Sequence, residues 1–305
     1  MKITFRDQNC KFTGVWQEGE CDSIVSYGKI TFFEIGFTGE RLVLTAQAKK
    51  YVQFFLDGIE TVPCADEETL SFAVAAGEHT LKVKVFKEMH FSMKTLEADG
   101  FFRVADKKYI HFIGDSITHA YPGFSSAAPE AMGVDYSVVA HCGMSLVDGW
   151  GWYEPPKGMD PRMGMESRYF VIKFPGDDEA TVPYTFEYCR TPDEIVMFLG
   201  TNDYLDTEED RAAGNIEKFA QHYLAFVKRL RERFPQVKIH IMKPLSDKCC
   251  RGEGIEAAYT LIASELPDIH RIDADTWGVE LCSDGTHPSD NGYARLVEGM
   301  LSYLK

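Results

Sequence analysis

Basic residues are scarce in this 305-residue chain: 32 Lys and Arg stand against 47 Asp and Glu, a formal net charge of −15. That balance disfavours nucleic acid or an anionic membrane as a partner, since both need clustered cations. Long apolar runs are missing as well. The longest, such as Ile195–Leu199, fall far short of the ~20 residues a membrane-crossing helix needs. The N-terminus, Met-Lys-Ile-Thr-Phe-Arg-Asp, carries no apolar signal core, so a cytoplasmic location is expected. The eight cysteines, at 10, 21, 64, 142, 189, 249, 250 and 282, then read as free thiols rather than a disulfide framework. Cys249 and Cys250 have no second pair at zinc-binding spacing, so neither a metal nor another cofactor is expected. No Gly-x-Ser-x-Gly elbow, Walker loop or His-Glu-x-x-His occurs, which removes the main rival hydrolase and phosphate-site signatures.

What is present is ordinary globular material, 45% hydrophobic and 26% charged, long enough for two domains. Residues 1–105 read as strands. Arg41–Thr45, Val52–Leu56 and Thr80–Phe86 are rich in Val, Leu, Phe and Thr, with turn signals at Gly39, Asp57-Gly58 and Gly77-Glu78. The pattern predicts an antiparallel β-sandwich. From Tyr109 onward, strands alternate with helices. Strands are expected at Tyr109–Ile113, Tyr136–Ala140, Glu194–Leu199, Val237–Met242 and His270–Asp273. An amphipathic helix carries Ile216, Phe219, Tyr223, Phe226, Val227, Leu230 and Phe234 at three-to-four spacing, closed by Pro235. Two more helices are expected at Ile255–Leu266 and about Asp290–Leu304. The alternation implies a parallel sheet with helices on both faces, in a second domain spanning 106–305. Segment 150–192 is aromatic, long and without period.

Four short blocks in this second domain supply the parts of acyl transfer, in order: Gly-Asp-Ser-Ile-Thr at 114–118, His-Cys-Gly at 141–143, Gly-Thr-Asn-Asp at 200–203 and Asp-Gly-Thr-His-Pro at 284–288. Ser116 follows a strand directly, where an α/β sheet collects reacting groups. A serine there also serves as a helix N-cap. The company of the other blocks favours the nucleophile. His287 is placed to take the serine proton, and Asp284, three residues earlier, to hold the far ring nitrogen. Asn202 brings a side-chain amide able to donate to an oxyanion, while Gly143 lets a backbone N–H come close. Asp115 and Asp203 read as loop braces. His119 with His141, and Asp273 with Asp275, read as local packing and turn residues rather than metal ligands.

The quartet of blocks resembles the GDSL/SGNH hydrolase superfamily over roughly residues 109–304. The resemblance implies a flavodoxin-like sheet, a Ser116–Asp284–His287 triad, and an oxyanion hole of the Ser116 and Gly143 N–H groups with Asn202. Where many relatives carry an early glycine, this chain reads His119-Ala120-Tyr121-Pro122-Gly123. A jelly-roll-like sandwich at 1–105 ahead of such a domain resembles family two of the carbohydrate esterases. Gly36-Phe37-Thr38-Gly39, Tyr51–Leu56 with Asp57-Gly58, and Gly77-Glu78-His79-Thr80-Leu81 carry that likeness. It implies a serine esterase that removes small acyl groups, above all acetyl, from a small-molecule or oligosaccharide substrate. Trp150 and Trp152 follow Gly143 closely and are candidate substrate-binding rings. The sandwich and the aromatics Tyr153, Tyr169, Phe170, Phe174, Tyr184, Phe186 and Tyr188 are expected to wall the pocket or fill a domain interface. The alternatives are a short-chain lipid esterase or thioesterase, and a non-catalytic carbohydrate-binding protein on an esterase scaffold.

Overall fold

The computed structural model describes residues 1–152, 163–173, 181–203, 205, 207–246 and 251–305. Contacts divide the chain into two units, Met1–Lys107 with Thr185–Arg190, and Lys108–Tyr184 with Thr191–Lys305. Cys249, Cys250, Tyr153 and Phe174 lie outside the described residues.

The first unit is an antiparallel sandwich built on two long strands, Thr31–Ala48 and Thr69–Val85. They pair from Thr31 with Val85 through to Thr45 with Thr69. The short strands expected at 41–45 and 80–86 are therefore portions of longer ones. Gly39 and Gly77, which signal turns in the sequence, instead face each other within this ribbon, and the register shifts between Gly39 and Arg41. A small residue at such an irregularity bends a strand pair without ending it. Asp57-Gly58 is a true turn, joining Val52–Leu56 to Ile59–Thr61. The core centres on Phe12, whose ring lies 5.2 Å from Trp16 and 5.3 Å from Phe33. Tyr188, on the returning segment 185–190, packs edge-on against Phe5 and Phe12.

The second unit holds five parallel strands in the spatial order Asp135–Ala140, Tyr109–Gly114, Glu194–Phe198, Lys238–Met242, Ile269–Ile272. The first strand in sequence thus sits second, the flavodoxin-like order, with its reversal between the first and third strands. Tyr109–Gly114 and Asp135–Ala140 are buried along their whole length, as strands covered on both faces must be. Their polar side chains are satisfied internally: Ser137 Oγ meets both Tyr109 Oη and His111 Nδ1 at 2.6 Å. Burial pushes the His111 imidazole down to about 3, so it is neutral.

The amphipathic stripe forms the helix Asn215–Arg233, which buries Ile216, Phe219, Tyr223, Phe226, Val227 and Leu230. It packs beside Arg251–Glu265, while Phe124–Met132 packs beside Asp290–Tyr303. The aperiodic stretch after Trp152 contains a one-turn helix, Met165–Arg168, and a small antiparallel pair, Val171–Lys173 with Thr181–Pro183. Tyr169 and Phe170 there pack edge-on against Phe226. Among the described residues no helix is long and apolar enough to cross a membrane.

Leu230 is fully buried in the long helix. Leu230→Ala should lower unfolding free energy by about 2–5 kcal/mol, with an unchanged urea m-value. A loss below about 1 kcal/mol in urea titration would mean that this face is not a packed core.

Candidate functional site

The strand register brings three of the four blocks to one end of the sheet. Gly114 pairs with Ala140 on one side and with Phe198 on the other, so the segments that follow emerge level. Gly114 is required by close approach. A Cβ there would lie 2.1 Å from Thr118 Oγ1 and 2.8 Å from the Phe198 carbonyl oxygen. The chain then turns into the short helix Ser116–His119. Its N-cap is Asp115, whose carboxylate accepts from the Ile117 N–H at 3.0 Å. Ser116 therefore does not cap the helix, and its hydroxyl points elsewhere.

That hydroxyl lies 2.8 Å from His287 Nε2, across 171 positions of sequence. His287 Nδ1 lies 2.7 Å from Asp284 Oδ2. Asp284 Oδ1 accepts in addition from the N–H groups of Thr286 at 2.8 Å and His287 at 3.0 Å. The Thr286 amide, the His287 ring and the His287 amide hold the Asp284 carboxyl down at about 2. An ionised carboxylate only accepts, so Nδ1 carries the ring proton and Nε2 presents its lone pair to the Ser116 hydroxyl. The geometry thus assigns the tautomer in which Nε2 can receive a proton.

The loop itself is closed. The Cys282 N–H donates to the His287 carbonyl at 2.7 Å, and Leu281 bridges Pro288. His287 and Asp284 are 43% and 50% exposed at their side chains, so solvent screens the pair. Their contact orients the ring and adds little to stability.

Gly143 adopts φ +74°, a left-handed conformation that favours glycine. Its carbonyl accepts from the Trp152 N–H at 2.9 Å, which ties the start of the aromatic segment to the 143 loop. Ser145 Oγ closes the same loop by meeting the carbonyls of Val147 and Trp150. Sequence reading missed Ser145, because a serine in Met-Ser-Leu-Val-Asp-Gly-Trp carries no pattern. Trp152 is 72% exposed. Trp150 is half-buried, with the Lys218 ammonium 5.2 Å from its ring centre.

Asn202 Nδ2 donates one hydrogen to the Met144 carbonyl at 3.0 Å, which fixes its orientation. Its second N–H has no partner among the described residues. Asp203 turns inward and accepts from the amides of Leu146 and Val147. The side residues act locally. His119 Nδ1 donates to the Ala140 carbonyl, Asp273 accepts from Arg271, and Asp275 pairs with Lys243. Among the described residues no group of three or more His, Cys, Asp or Glu is arranged to hold a metal ion.

Three solved structures share this architecture. A family two carbohydrate esterase from Cellvibrio japonicus superposes with a TM-score of 0.71 at 17% identity, covering 100% of this chain and 96% of that one. An acetyl xylan esterase from the rumen bacterium Butyrivibrio proteoclasticus gives 0.72 at 15% identity, covering 100% and 98%. A family two carbohydrate esterase from Clostridium thermocellum, solved with cellohexaose, gives 0.69 at 18% identity, covering 97% and 98%. The chain has the family two carbohydrate esterase fold. At these identities the likeness is one of fold, a sandwich joined to an SGNH-type sheet over the whole length. No protein-family model matches the chain, and no curated protein sequence does so either.

Asp115 gives the site a pH signature. It is fully buried, and burial pushes its carboxyl up to about 6 against the opposing Ile117 amide. An unfolded aspartate titrates near 3.9. Between these values the folded protein holds a proton that the unfolded chain releases, so Asp115 contributes less stability as pH rises from about 4 to about 6. Asp115→Asn keeps an oxygen for the Ile117 amide and removes the titration. Its Tm should fall less than the wild-type Tm across that window. Identical slopes in paired melts would exclude Asp115 as the source.

Proposed function

We propose that this protein is a metal-independent serine esterase that removes small acyl groups, chiefly acetyl, from carbohydrate hydroxyls. The observation that carries the reading is the relay of Ser116 Oγ to His287 Nε2 at 2.8 Å and His287 Nδ1 to Asp284 Oδ2 at 2.7 Å. Ser116 Oγ attacks the ester carbonyl as its proton passes to His287 Nε2. The carbonyl oxygen gains the charge and accepts from the N–H groups of Ser116 and Gly143 and from Asn202 Nδ2. Collapse expels the sugar alkoxide, which takes the proton from His287 and leaves acyl-Ser116. Water then attacks with His287 as base, and the carboxylic acid departs from a restored serine. Asp284 stabilises the imidazolium at both steps without accepting the proton.

Two features support a carbohydrate as the alcohol. The neighbours sharing the fold include an acetyl xylan esterase and a cellohexaose complex. Trp152, whose backbone N–H donates to the Gly143 carbonyl, carries an exposed ring with a flat apolar face of the kind sugar rings stack on.

Acetate release from acetylated mono- and oligosaccharides tests the reading, with acetyl esters expected to turn over much faster than butyryl or longer esters. A fluorophosphonate should label Ser116, and Ser116→Ala should abolish both labelling and turnover while leaving the melt unchanged. Labelling at another serine, or a preference for long acyl chains, would overturn it.

The oxyanion role of Asn202 has its own kinetic signature. Asn202→Ala should lower kcat on the order of a hundredfold with little change in KM, since the bond strengthens as charge develops. A change confined to KM would remove Asn202 from the hole.

A further inference from the structure

Gly143 and Asn202 come from different loops, and a hole made from both works only if their separation is fixed before charge develops. Asn202-Asp203 provides that connection. The Asp203 carboxylate is 2% exposed. It accepts the Leu146 N–H through both oxygens, at 3.1 and 3.0 Å, and the Val147 N–H at 3.0 Å. One residue earlier, Asn202 Nδ2 holds the Met144 carbonyl at 3.0 Å. Two adjacent residues therefore grip the backbone immediately after Gly143 by both its donors and an acceptor.

We propose that Asp203 is the positioning residue of the oxyanion hole, locking the Gly143 N–H and Asn202 Nδ2 into one rigid unit. The inference rests on the esterase reading above. Asp203 touches no substrate and acts through its two neighbours. Fold stability alone does not explain an acid here. Burial, with added repulsion from Asp115 and Glu166, pushes its carboxyl up to about 7 against the Leu146 and Val147 amides. Burying a carboxyl costs desolvation that its amide hydrogen bonds offset only in part. The geometry gives the acid its use, because both of its oxygens face backbone N–H groups and accept from them. An asparagine would turn an NH₂ toward one of them.

A double-mutant cycle on purified full-length protein tests this, using a small aryl acetate. Asp203→Asn should lower kcat ten- to hundredfold while KM stays within about twofold. In an Asn202→Ala background the same change should cost at least threefold less, because one of the two donors it positions is gone. A loss confined to KM, or losses of equal size in both backgrounds, would overturn the role. Should Asp203→Asn fail to fold, Asp203→Ser goes through the same cycle. Hydrogen exchange on the wild type gives a separate reading. The Leu146 and Val147 amides should exchange slowly, and fast exchange at both would overturn the grip. Fluorophosphonate labelling separates the two levels. An unlabelled wild-type Ser116 would bring down the esterase reading itself. Normal labelling with an unchanged Asp203→Asn kcat would bring down only the positioning role.

Discussion

Gly114 lies between Ala140 and Phe198 in the sheet, and because all three strands are parallel, their next residues emerge together at one end. Everything at the site depends on that pairing. Slipping one strand by a single residue would turn its buried side chains to the opposite face and displace its loop by about 3.3 Å. Such a slip would separate Ser116 from the 141–143 and 200–203 loops. The register is held by close packing: the three strands are buried along their length, and on one face Phe112 and Phe198 both pack edge-on against Phe124. Core packing and loop placement are here one property.

Two kinds of carboxylate surround Ser116, and they behave oppositely. Asp115 and Asp203 are wholly buried, and burial raises both. They hold backbone amides and shape the loops from behind. Asp284 is half exposed and held low by backbone amides and the His287 ring. It faces the solvent side and orients a side chain. Rigidity is thus concentrated behind Ser116, while the His287 ring sits where it meets water.

Much of this was legible in the sequence. The Ser116 and His287 blocks stood out because each gathers distinctive residues into five consecutive positions, and the fold brings the two side chains to 2.8 Å. The long helix declared itself through an apolar stripe of full period. The sandwich strands were read too short, since Gly39 and Gly77 look alike whether they end a strand or bend it. Only their mutual pairing distinguishes the cases, and that is a long-range fact. Segment 150–192 resisted for a similar reason. Tyr169 and Phe170 find their partner in Phe226, and Tyr188 finds its own in Phe5 and Phe12. Their roles follow from partners far away in the chain, which local periodicity does not report. The grip of Asp203 on Leu146 and Val147 is equally non-local.

The loop from Leu281 to Pro288 is closed on itself by a β-bridge and the Cys282–His287 hydrogen bond, and it holds both Asp284 and His287. Asp284 and His287 therefore travel as one cassette. Sequence change around the loop shifts the cassette as a whole and leaves the internal Asp–His geometry intact. One distance, from His287 to Ser116, is then exposed to drift elsewhere in the domain. Between this loop and the one that carries Ser116, such an arrangement leaves a single separation to be kept while the surrounding sequence changes.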